Sequence, residues 1–492
     1  MMLEFFALSP VVLLIVILLF FKKPLVVAAP FTFFYALFVS IFYWSVKQEY
    51  VVAGLVKALF VSLDILLIIF GAVLFLEYLK NSGLIKKIEK QISSISSDRR
   101  VQAIIIIWFF GSFIEGTAGF GTPAAITAPF LVAIGFPAVL AVVLALIGNS
   151  TAVVFGAVGT PIRIGFEGLD VSFVSQSAAF INLFAGLVVP LLLIGVMTRY
   201  ENKSFKYFYE SIPFALWAGF CFLVPYFLLS FIGPEFPSLL GPLIGLVIIV
   251  FTTKKHLFVP KKTKVYSTGF NFKDFMPYVI LISLLLLGKY VFPSFSLDIV
   301  FGVSHTFSLY NPGFIFLLSI LFSSLFFSRP FLNFKNSFVS SFKLLFKPFL
   351  VIFFITAFVQ LLILSSFNYN NYLGMLNVIA NLLISDNYLL LSPVLGVFGS
   401  FLSGSATVSN LLFGALQVES AQLVGVSVVL VLALQVVGAG VGNMISLTNI
   451  VAAQTTVKLK NQELNILKKT IVPALIYLVF VMFIGLIVHS LF

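Results

Sequence analysis

The sequence has little charge, almost no cysteine and few histidines. Only 9% of its 492 residues are charged, against about 25% in an ordinary soluble domain, which excludes a water-soluble globular fold. The single cysteine, Cys221, excludes a disulfide framework or a cysteine-based metal site. The three histidines are far apart in the sequence and form no metal-binding constellation, and we expect His256 and His305 to lie in solvated loops.

Residues that could support catalysis are also scarce. No Walker phosphate-binding loop follows a predicted strand, so the sequence gives no indication of an ATPase. An enzyme embedded in the membrane would need an acid–base pair or metal ligands at depth, and we identify only Glu115 and a marginally placed Asp64. The sequence therefore predicts no enzyme activity, no metal site and no cofactor.

Apolar residues make up 61% of the chain. They form repeated runs of the roughly 20 residues that a helix needs to cross a bilayer. Lys22 and Lys23 follow the first run, which favours a membrane span at 1–21 over a cleaved signal peptide. The sequence predicts a multi-pass plasma-membrane protein with spans near 3–21, 25–44, 58–79, 137–160, 177–198, 211–232, 238–253, 275–292, 312–328, 346–366, 422–456 and 470–491.

The positive charges are distributed by membrane side. Of the 29 lysine and arginine residues, all but Lys47, Lys57, Arg163 and Lys289 lie in alternate connections between the spans. Because positive charge marks the cytoplasmic side, both termini are expected outside. The net charge of +12 therefore reports topology and contacts with membrane lipids, and it predicts no nucleic-acid partner.

Two further apolar segments, 101–135 and 388–417, preserve this alternation only if each enters and leaves by the same face as a re-entrant helical hairpin. The first contains "EGTAGFGTP" and the second "SGSATVSN", which interrupt the helices with glycine and small polar residues. Non-helical backbone at membrane depth is tolerated only where protein or a water-filled cavity satisfies its polar groups. Each hairpin tip therefore predicts a cavity.

The two hairpins belong to an internal repeat. Gly111-Ser112-Phe113 matches Gly399-Ser400-Phe401, Gly116-Thr117-Ala118 matches Gly404-Ser405-Ala406, and Gly148-Asn149 matches Gly442-Asn443. The predicted topology inverts one copy relative to the other, so the expected fold is an all-α polytopic membrane protein of about 12 transmembrane helices plus two re-entrant hairpins in an inverted repeat. The predicted segments are N-terminal helices at 1–57, a first repeat at 58–210 with a broken helix at 137–160, connecting helices and basic loops at 211–344, and a second repeat at 345–492 with a broken helix at 422–456.

Inverted repeats with broken helices place a binding site near the bilayer midplane. Helix N-termini there attract anions. The segments "EGTAGFGTPAAI", "GNSTAVVFGAVGTPI", "GSFLSGSATVSNLLFGALQ" and "GNMISLTNIVAAQTTV" resemble the signature segments of the lactate permease family over residues 60–490. The resemblance implies a carrier of L-lactate, often also glycolate and other 2-hydroxy acids, that uses a coupling cation, usually a proton. Family members often have a Cys-Pro-His-like run where this chain has Ser446-Leu447-Thr448, which leaves proton and sodium open.

The candidate site residues lie around the tips and breaks. Glu115 and Asp64 are the candidates for proton coupling, because a charged group at membrane depth is costly and usually functional; Asp64 could instead reach the membrane interface, and Glu115 could instead cap the hairpin tip. Glycine, hydroxyl and amide groups can bind a 2-hydroxy acid without another buried charge, or they can serve as helix–helix contacts. The candidates for substrate binding are Thr117, Gly119, Gly121, Thr122, Asn149, Ser150, Thr151, Ser403, Ser405, Thr407, Ser409, Asn410, Asn443, Ser446 and Asn449.

Two alternatives remain open for the function, a carrier of another organic anion such as a dicarboxylate and a sodium/proton antiporter of the same architecture. Arg163 could steer anions inward, although its spacing favours an ion pair with Glu167.

Overall fold

The structure, a computed structural model, describes residues 1–119, 121–166, 171–260, 263–264, 271–292, 294–300, 303–326 and 334–491. In these residues nine helices are long and apolar enough to cross a membrane, or up to twelve if each of three bent pairs is one span. Helices prevail because a spanning segment must satisfy its backbone hydrogen bonds internally. The predicted fold class, a helical multi-pass membrane protein of about twelve spans, is confirmed.

The first of two compact units comprises Met1–Ser82, Met276–Tyr388 and Leu411–Val428. Its central helix, Gln48–Asn81, starts ten residues before the predicted span and packs against Pro312–Phe326 and Phe346–Leu364. The helices of this unit are Met2–Leu19, Leu25–Phe38 with a π-helical extension Val39–Tyr43, Gln48–Asn81, Met276–Val291, Pro312–Phe326, Phe334–Leu344, Phe346–Leu364 and Met375–Leu382.

A small β-hairpin in the first unit was not predicted. Strands Ser294–Val300 and Val303–Ser308 pair antiparallel. The second strand buries His305, whose Nε2 lies 3.0 Å from Oδ2 of Asp64. The prediction of a solvated loop around His305 was wrong, because the alternating pattern of "VSHTFS" forms a strand that turns the histidine towards the helix of Asp64.

The second unit comprises Gly83–Phe275, Leu389–Asn410 and Val429–Phe492, and it contains both hairpin tips. The helix Ala406–Val424 begins in it and continues into the first unit. The other α-helices of the second unit are Leu84–Ser93, Arg99–Ala103, Gly111–Ala118, Thr122–Ala133, Ala138–Asn149, Gly156–Arg163, Val171–Ala185, Val188–Tyr200, Phe205–Tyr209, Ile212–Ser230, Pro237–Lys254, Tyr388–Ser403, Val428–Asn443, Leu447–Thr456 and Glu463–Leu491. Shorter segments are the π-helix Ile104–Phe110 and the 3₁₀ turns Ala152–Phe155 and Phe272–Phe275.

The first hairpin returns to the side from which it starts. Its arms are Arg99–Ala118 and Thr122–Ala133. The Arg99 guanidinium donates a 3.0 Å hydrogen bond to the carbonyl of Gly135, beyond the end of the second arm. In the second hairpin, the Tyr388 hydroxyl at the start of one arm donates to Gln417 Oε1 on the other at 2.7 Å. The returning arm of this second hairpin continues to Val424, so the predicted end at 417 was too early.

Connections that the charge pattern assigns to the cytoplasm meet at one end of the second unit. The Ser97 amide donates to the Lys264 carbonyl at 3.0 Å, and Arg99 forms a 2.8 Å salt bridge with Glu201. Beside them, the amphipathic helix Leu84–Ser93 buries its apolar face. Three connections, at 80–100, 199–210 and 254–273, are thereby held together, as expected if they share one side of the membrane.

Arg100 and Asp98 form a buried pair within this end. Arg100 Nη2 lies 2.6 Å from Asp98 Oδ2, with side-chain exposures of 5% and 12%. Arg100 Nη1 also donates to the Tyr207 carbonyl at 2.9 Å. Burial alone would raise the pKa of Asp98, but the hydrogen bonds and positive charge of Arg100 outweigh it and lower the pKa below its ordinary value.

The lowered pKa of Asp98 predicts a pH-dependent contribution to stability. A carboxyl group whose pKa is lowered on folding stabilises the fold fully above its unfolded pKa, about 3.9, and the contribution is lost as pH falls through the folded pKa. We therefore expect the stability difference between wild type and Asp98→Asn to be constant from pH 7 to about 5 and to shrink below about pH 4. Thermal unfolding in detergent across this range measures it. An equal difference at pH 3 and pH 7 would contradict the assignment.

Candidate substrate site

Glu115 lies in the last turn of the first arm of the first hairpin and is only 4% exposed. Asn149, the last residue of Ala138–Asn149, donates its Nδ2 to Glu115 Oε2 at 3.1 Å. Burying a carboxyl group is costly unless it is hydrogen-bonded. The matched Gly148-Asn149 position thus supplies the buried partner of the carboxyl group.

The first broken helix lies next to this carboxyl group. Its two parts, Ala138–Asn149 and Ala152–Arg163, are bent by 54°, and within the second part Ala157, Val158 and Gly159 all have left-handed backbone conformations. Such conformations are uncommon for alanine and valine and concentrate at functional sites. A Cβ placed on Gly156 would lie 2.3 Å from Glu115 Oε1, so only glycine permits this approach.

The first hairpin tip rests on the same break. Gly119 ends the first arm with φ 59° and ψ −155°, and a Cβ placed on it would lie 2.8 Å from the Cβ of Ala157. Gly121, with φ 77°, precedes the returning helix. The helix N-terminus at Thr122 therefore starts next to the broken helix, where the positive end of the helix dipole favours an anion.

The second hairpin tip is held by two amides from the second broken helix. Asn443 and Asn449 flank its 42° bend, and both donate to the Gly404 carbonyl, at 3.3 and 3.1 Å. Asn449 Nδ2 also lies 2.9 Å from Asn443 Oδ1. The returning helix starts at Ala406. The second repeat thus reproduces the arrangement of a tip against a break, with amides in place of the carboxyl group.

Both tips and the first break surround one cavity of about 20 Å³. This volume is enough for about one water molecule. Glu115 is the only ionisable side chain among the described residues that line it. The lining residues are Glu115, Gly119, Gly121, Val153, Gly156, Ala157, Pro161, Gly404, Ser405, Ala406, Thr407 and Asn443. The two repeats therefore contribute to a single cavity around one carboxyl group.

The predicted site residues differ in their position relative to the cavity. Glu115, Gly119, Gly121, Ser405, Thr407 and Asn443 line the cavity, whereas Asn149 and Asn449 contact lining residues. Buried Ser446 lies close to Gly404, and the backbone of Thr151 accepts a hydrogen bond from Tyr226. The remaining side chains donate to backbone carbonyls, as helix–helix or intrahelical contacts would: Thr117 to Ile114, Thr122 to Gly119, Ser150 to Ile147, Ser403 to Gly399, Ser409 to Gly396 and Asn410 to Pro161.

Sequence reasoning missed a second set of buried polar residues around the broken helices. Gln435, in the middle of Val428–Asn443, donates to the Ser409 hydroxyl at 3.2 Å. Asn182 accepts from the Tyr477 hydroxyl at 2.7 Å and donates to Tyr226 at 3.1 Å. A lone amide in an otherwise apolar run was the available signal for both Gln435 and Asn182.

Two other candidates have partners outside the cavity. Asp64 lies in the first unit and pairs with His305. Arg163 Nε lies 3.4 Å from Oε1 of Glu235, which is 4% exposed. The predicted partner of Arg163, Glu167, lies outside the described residues. The Glu235 pair joins the end of the first broken helix to the connection before Pro237–Lys254.

Two hairpin tips and broken helices that converge on one polar cavity, in a chain of membrane-length apolar helices, define a class, a multi-pass membrane transporter. Comparisons of the sequence agree with that class. The L-lactate permease family profile matches residues 4–297 and 289–492, and the chain belongs to this family. The resemblance identified from the motifs is therefore confirmed, and permeases are transporters rather than enzymes.

Individual relatives are similar over nearly their full lengths. A protein of Haemophilus influenzae is 34% identical over 92% of each chain. The L-lactate permease of Salmonella typhimurium is 31% identical over 92% of this chain and 89% of its own. The glycolate permease GlcA of Escherichia coli is 28% identical over 83% of this chain and 82% of its own.

Proposed function

We propose that the protein is a secondary active transporter of L-lactate and related short 2-hydroxy monocarboxylates such as glycolate, with a proton as the coupling ion. The names of the relatives support the substrate class. The observation that carries the proposal is the convergence of both hairpin tips on one cavity in which Glu115 is the only ionisable group among the described lining residues. A substrate with one carboxylate and one hydroxyl group matches helix N-termini flanked by hydroxyl and amide groups.

The charge of Glu115 provides a reason for coupling. An ionised Glu115 and a substrate carboxylate would repel each other strongly, because Glu115 is only 4% exposed and water screens its charge little. Protonation of Glu115 removes this repulsion, so proton and anion enter together and leave together. Asn149 remains hydrogen-bonded to the carboxyl group at 3.1 Å and keeps it at the cavity. Asp64, paired with His305 in the first unit, is a second candidate for proton transfer.

The small volume of the cavity indicates which contacts have to open. A space of about 20 Å³ is too small for a carboxylic acid of several heavy atoms, since it accommodates about one water. Substrate access therefore requires a tip to separate from its neighbouring broken helix. The contacts that would part are Gly119 with Ala157 in one half, and Gly404 with Asn443 and Asn449 in the other.

Counterflow in proteoliposomes tests the substrate class. Purified protein loaded with unlabelled L-lactate is expected to exchange it for labelled L-lactate, and external glycolate should compete while succinate competes poorly. A dicarboxylate carrier would show the reverse order of competition. Sodium/proton exchange without any effect of carboxylates would favour the antiporter.

Removing the Asn449 amide is expected to weaken substrate binding. Asn449→Ala leaves the Gly404 carbonyl and Asn443 with one donor fewer, and a buried polar group without its partner costs about 1–3 kcal/mol. The substrate concentration for half-maximal counterflow should rise about fivefold to 150-fold. Asn387→Ala, at an exposed position near the second hairpin, is the control and should leave it unchanged. A similar value for Asn449→Ala and wild type would contradict a role at the tip.

A further inference from the structure

A second cavity lies in the second unit, between the helices Val188–Tyr200 and Glu463–Leu491, and has a volume of about 920 Å³. Its walls are apolar and include Val188, Leu192, Val472 and Ile476. Val472 is 50% exposed and Ile476 is 38% exposed, so the cavity is a groove open on the outside of the unit. At the depth of membrane-spanning helices, an outward apolar groove faces lipid chains.

One end of this groove is strongly basic. Arg199, Lys468 and Lys469 line it together with Asn202 and Asn465. Among the described residues, none of these three cations forms a salt bridge with a carboxylate; Lys469 lies over the ring of Tyr200, 5.1 Å from its centre. Three cations without acidic partners create a site for an anionic group.

The basic end lies at the cytoplasmic side. Arg199 and Tyr200 immediately precede Glu201, which pairs with Arg99 at the start of the first hairpin. The lysines belong to the connection 458–469, which the charge pattern also assigns to the cytoplasm. The positive charges therefore lie at headgroup level, while the apolar walls run into the hydrocarbon region.

We propose that this groove binds one anionic phospholipid of the cytoplasmic leaflet, with its phosphate at Arg199, Lys468 and Lys469 and an acyl chain along the apolar walls. Basic pockets between transmembrane helices on the cytoplasmic side recognise anionic headgroups. Asn202 and Asn465 add hydrogen-bond donors at the same level. A second copy of the chain is a poorer occupant, because in a symmetric dimer the basic ends of the two grooves would face and repel each other.

Native mass spectrometry with dioleoyl phosphatidylglycerol and dioleoyl phosphatidylcholine tests the proposal. Wild type should retain one phosphatidylglycerol per protomer in preference to phosphatidylcholine. The combined variant Arg199→Gln, Lys468→Gln and Lys469→Gln should bind phosphatidylglycerol about 100-fold more weakly, since each basic residue contributes about 1 kcal/mol near an anionic lipid. The matched control replaces Lys86, Lys87 and Lys90, three exposed lysines of Leu84–Ser93, by glutamine. It should bind phosphatidylglycerol as wild type does.

A second variant blocks the groove without changing its charge. A Cβ on Gly195 would meet only Phe208 Cε2, at 3.6 Å, so Gly195→Phe can place its ring in the groove. This variant should also lose the bound lipid and keep the thermal stability of wild type in phosphatidylcholine. The proposal would be overturned if wild type retained the two lipids equally, or if the lysine control variant lost phosphatidylglycerol as strongly as the groove variant. A dimer that covers the groove would also overturn it.

Discussion

Replacing Glu115 by glutamine is expected to abolish the accumulation of L-lactate driven by a pH gradient while preserving lactate exchange. Glutamine has the size of glutamate and still offers an oxygen to the Asn149 amide, so the tip keeps its geometry. It cannot bind or release a proton, and the repulsion that links proton to anion disappears. One pH unit corresponds to about 1.4 kcal/mol, so wild type should accumulate lactate about tenfold per unit of imposed gradient, and Glu115→Gln should lose this accumulation.

Labelled lactate uptake and counterflow in the same proteoliposomes separate coupling from binding. Glu77→Gln is a matched control, because Glu77 is a carboxyl group paired with Lys80 at the end of Gln48–Asn81. Asp64→Asn tests the second candidate directly. If Glu115→Gln accumulates lactate as wild type does and Asp64→Asn does not, the proton is carried at Asp64 instead.

Replacing Arg100 by glutamine is expected to cause a large loss of stability. Arg100 binds Asp98, the Tyr207 carbonyl and the face of the Tyr207 ring, 4.1 Å from its centre. Removing one partner of a buried ion pair typically costs about 3–5 kcal/mol, because the remaining charge is left uncompensated. The start of the first hairpin would then lose its attachment to the neighbouring connections.

An exposed ion pair provides the control for this variant. Lys80 and Glu77 have side-chain exposures of 46% and 34%, and exposed pairs contribute about 0–1 kcal/mol. Thermal unfolding monitored by size-exclusion chromatography should therefore show a much larger decrease for Arg100→Gln than for Lys80→Gln. Equal decreases would mean that the buried pair does not anchor the hairpin.

Local patterns in the sequence were enough to predict the hairpins and broken helices. Glycine next to small polar residues interrupts an apolar run, and charge alternation requires such a segment to return to its own side. The structure puts the interruptions at Gly119, Gly121 and Gly404, within the predicted tips. The missed β-hairpin of His305 depends on contacts with a helix some 240 residues earlier, which no local pattern reveals.

The site was only partly predictable for the same reason. Residues beside the glycines, such as Glu115, Ser405 and Asn443, line the cavity because the backbone turns there. The hydroxyls of Thr117 and Ser150 look equivalent in sequence but donate to their own helices. Which hydroxyl faces inward depends on the helix register at the break, and this is set by tertiary packing.

The measurement that tests the central claim most directly is uptake of labelled L-lactate by wild-type protein in sodium-free proteoliposomes with an inward pH gradient. The account predicts accumulation of about tenfold for each pH unit, abolished by a protonophore. No accumulation under either a proton or a sodium gradient would contradict a lactate symporter. Accumulation driven by a sodium gradient alone would support lactate as the substrate and exclude the proton as the coupling ion.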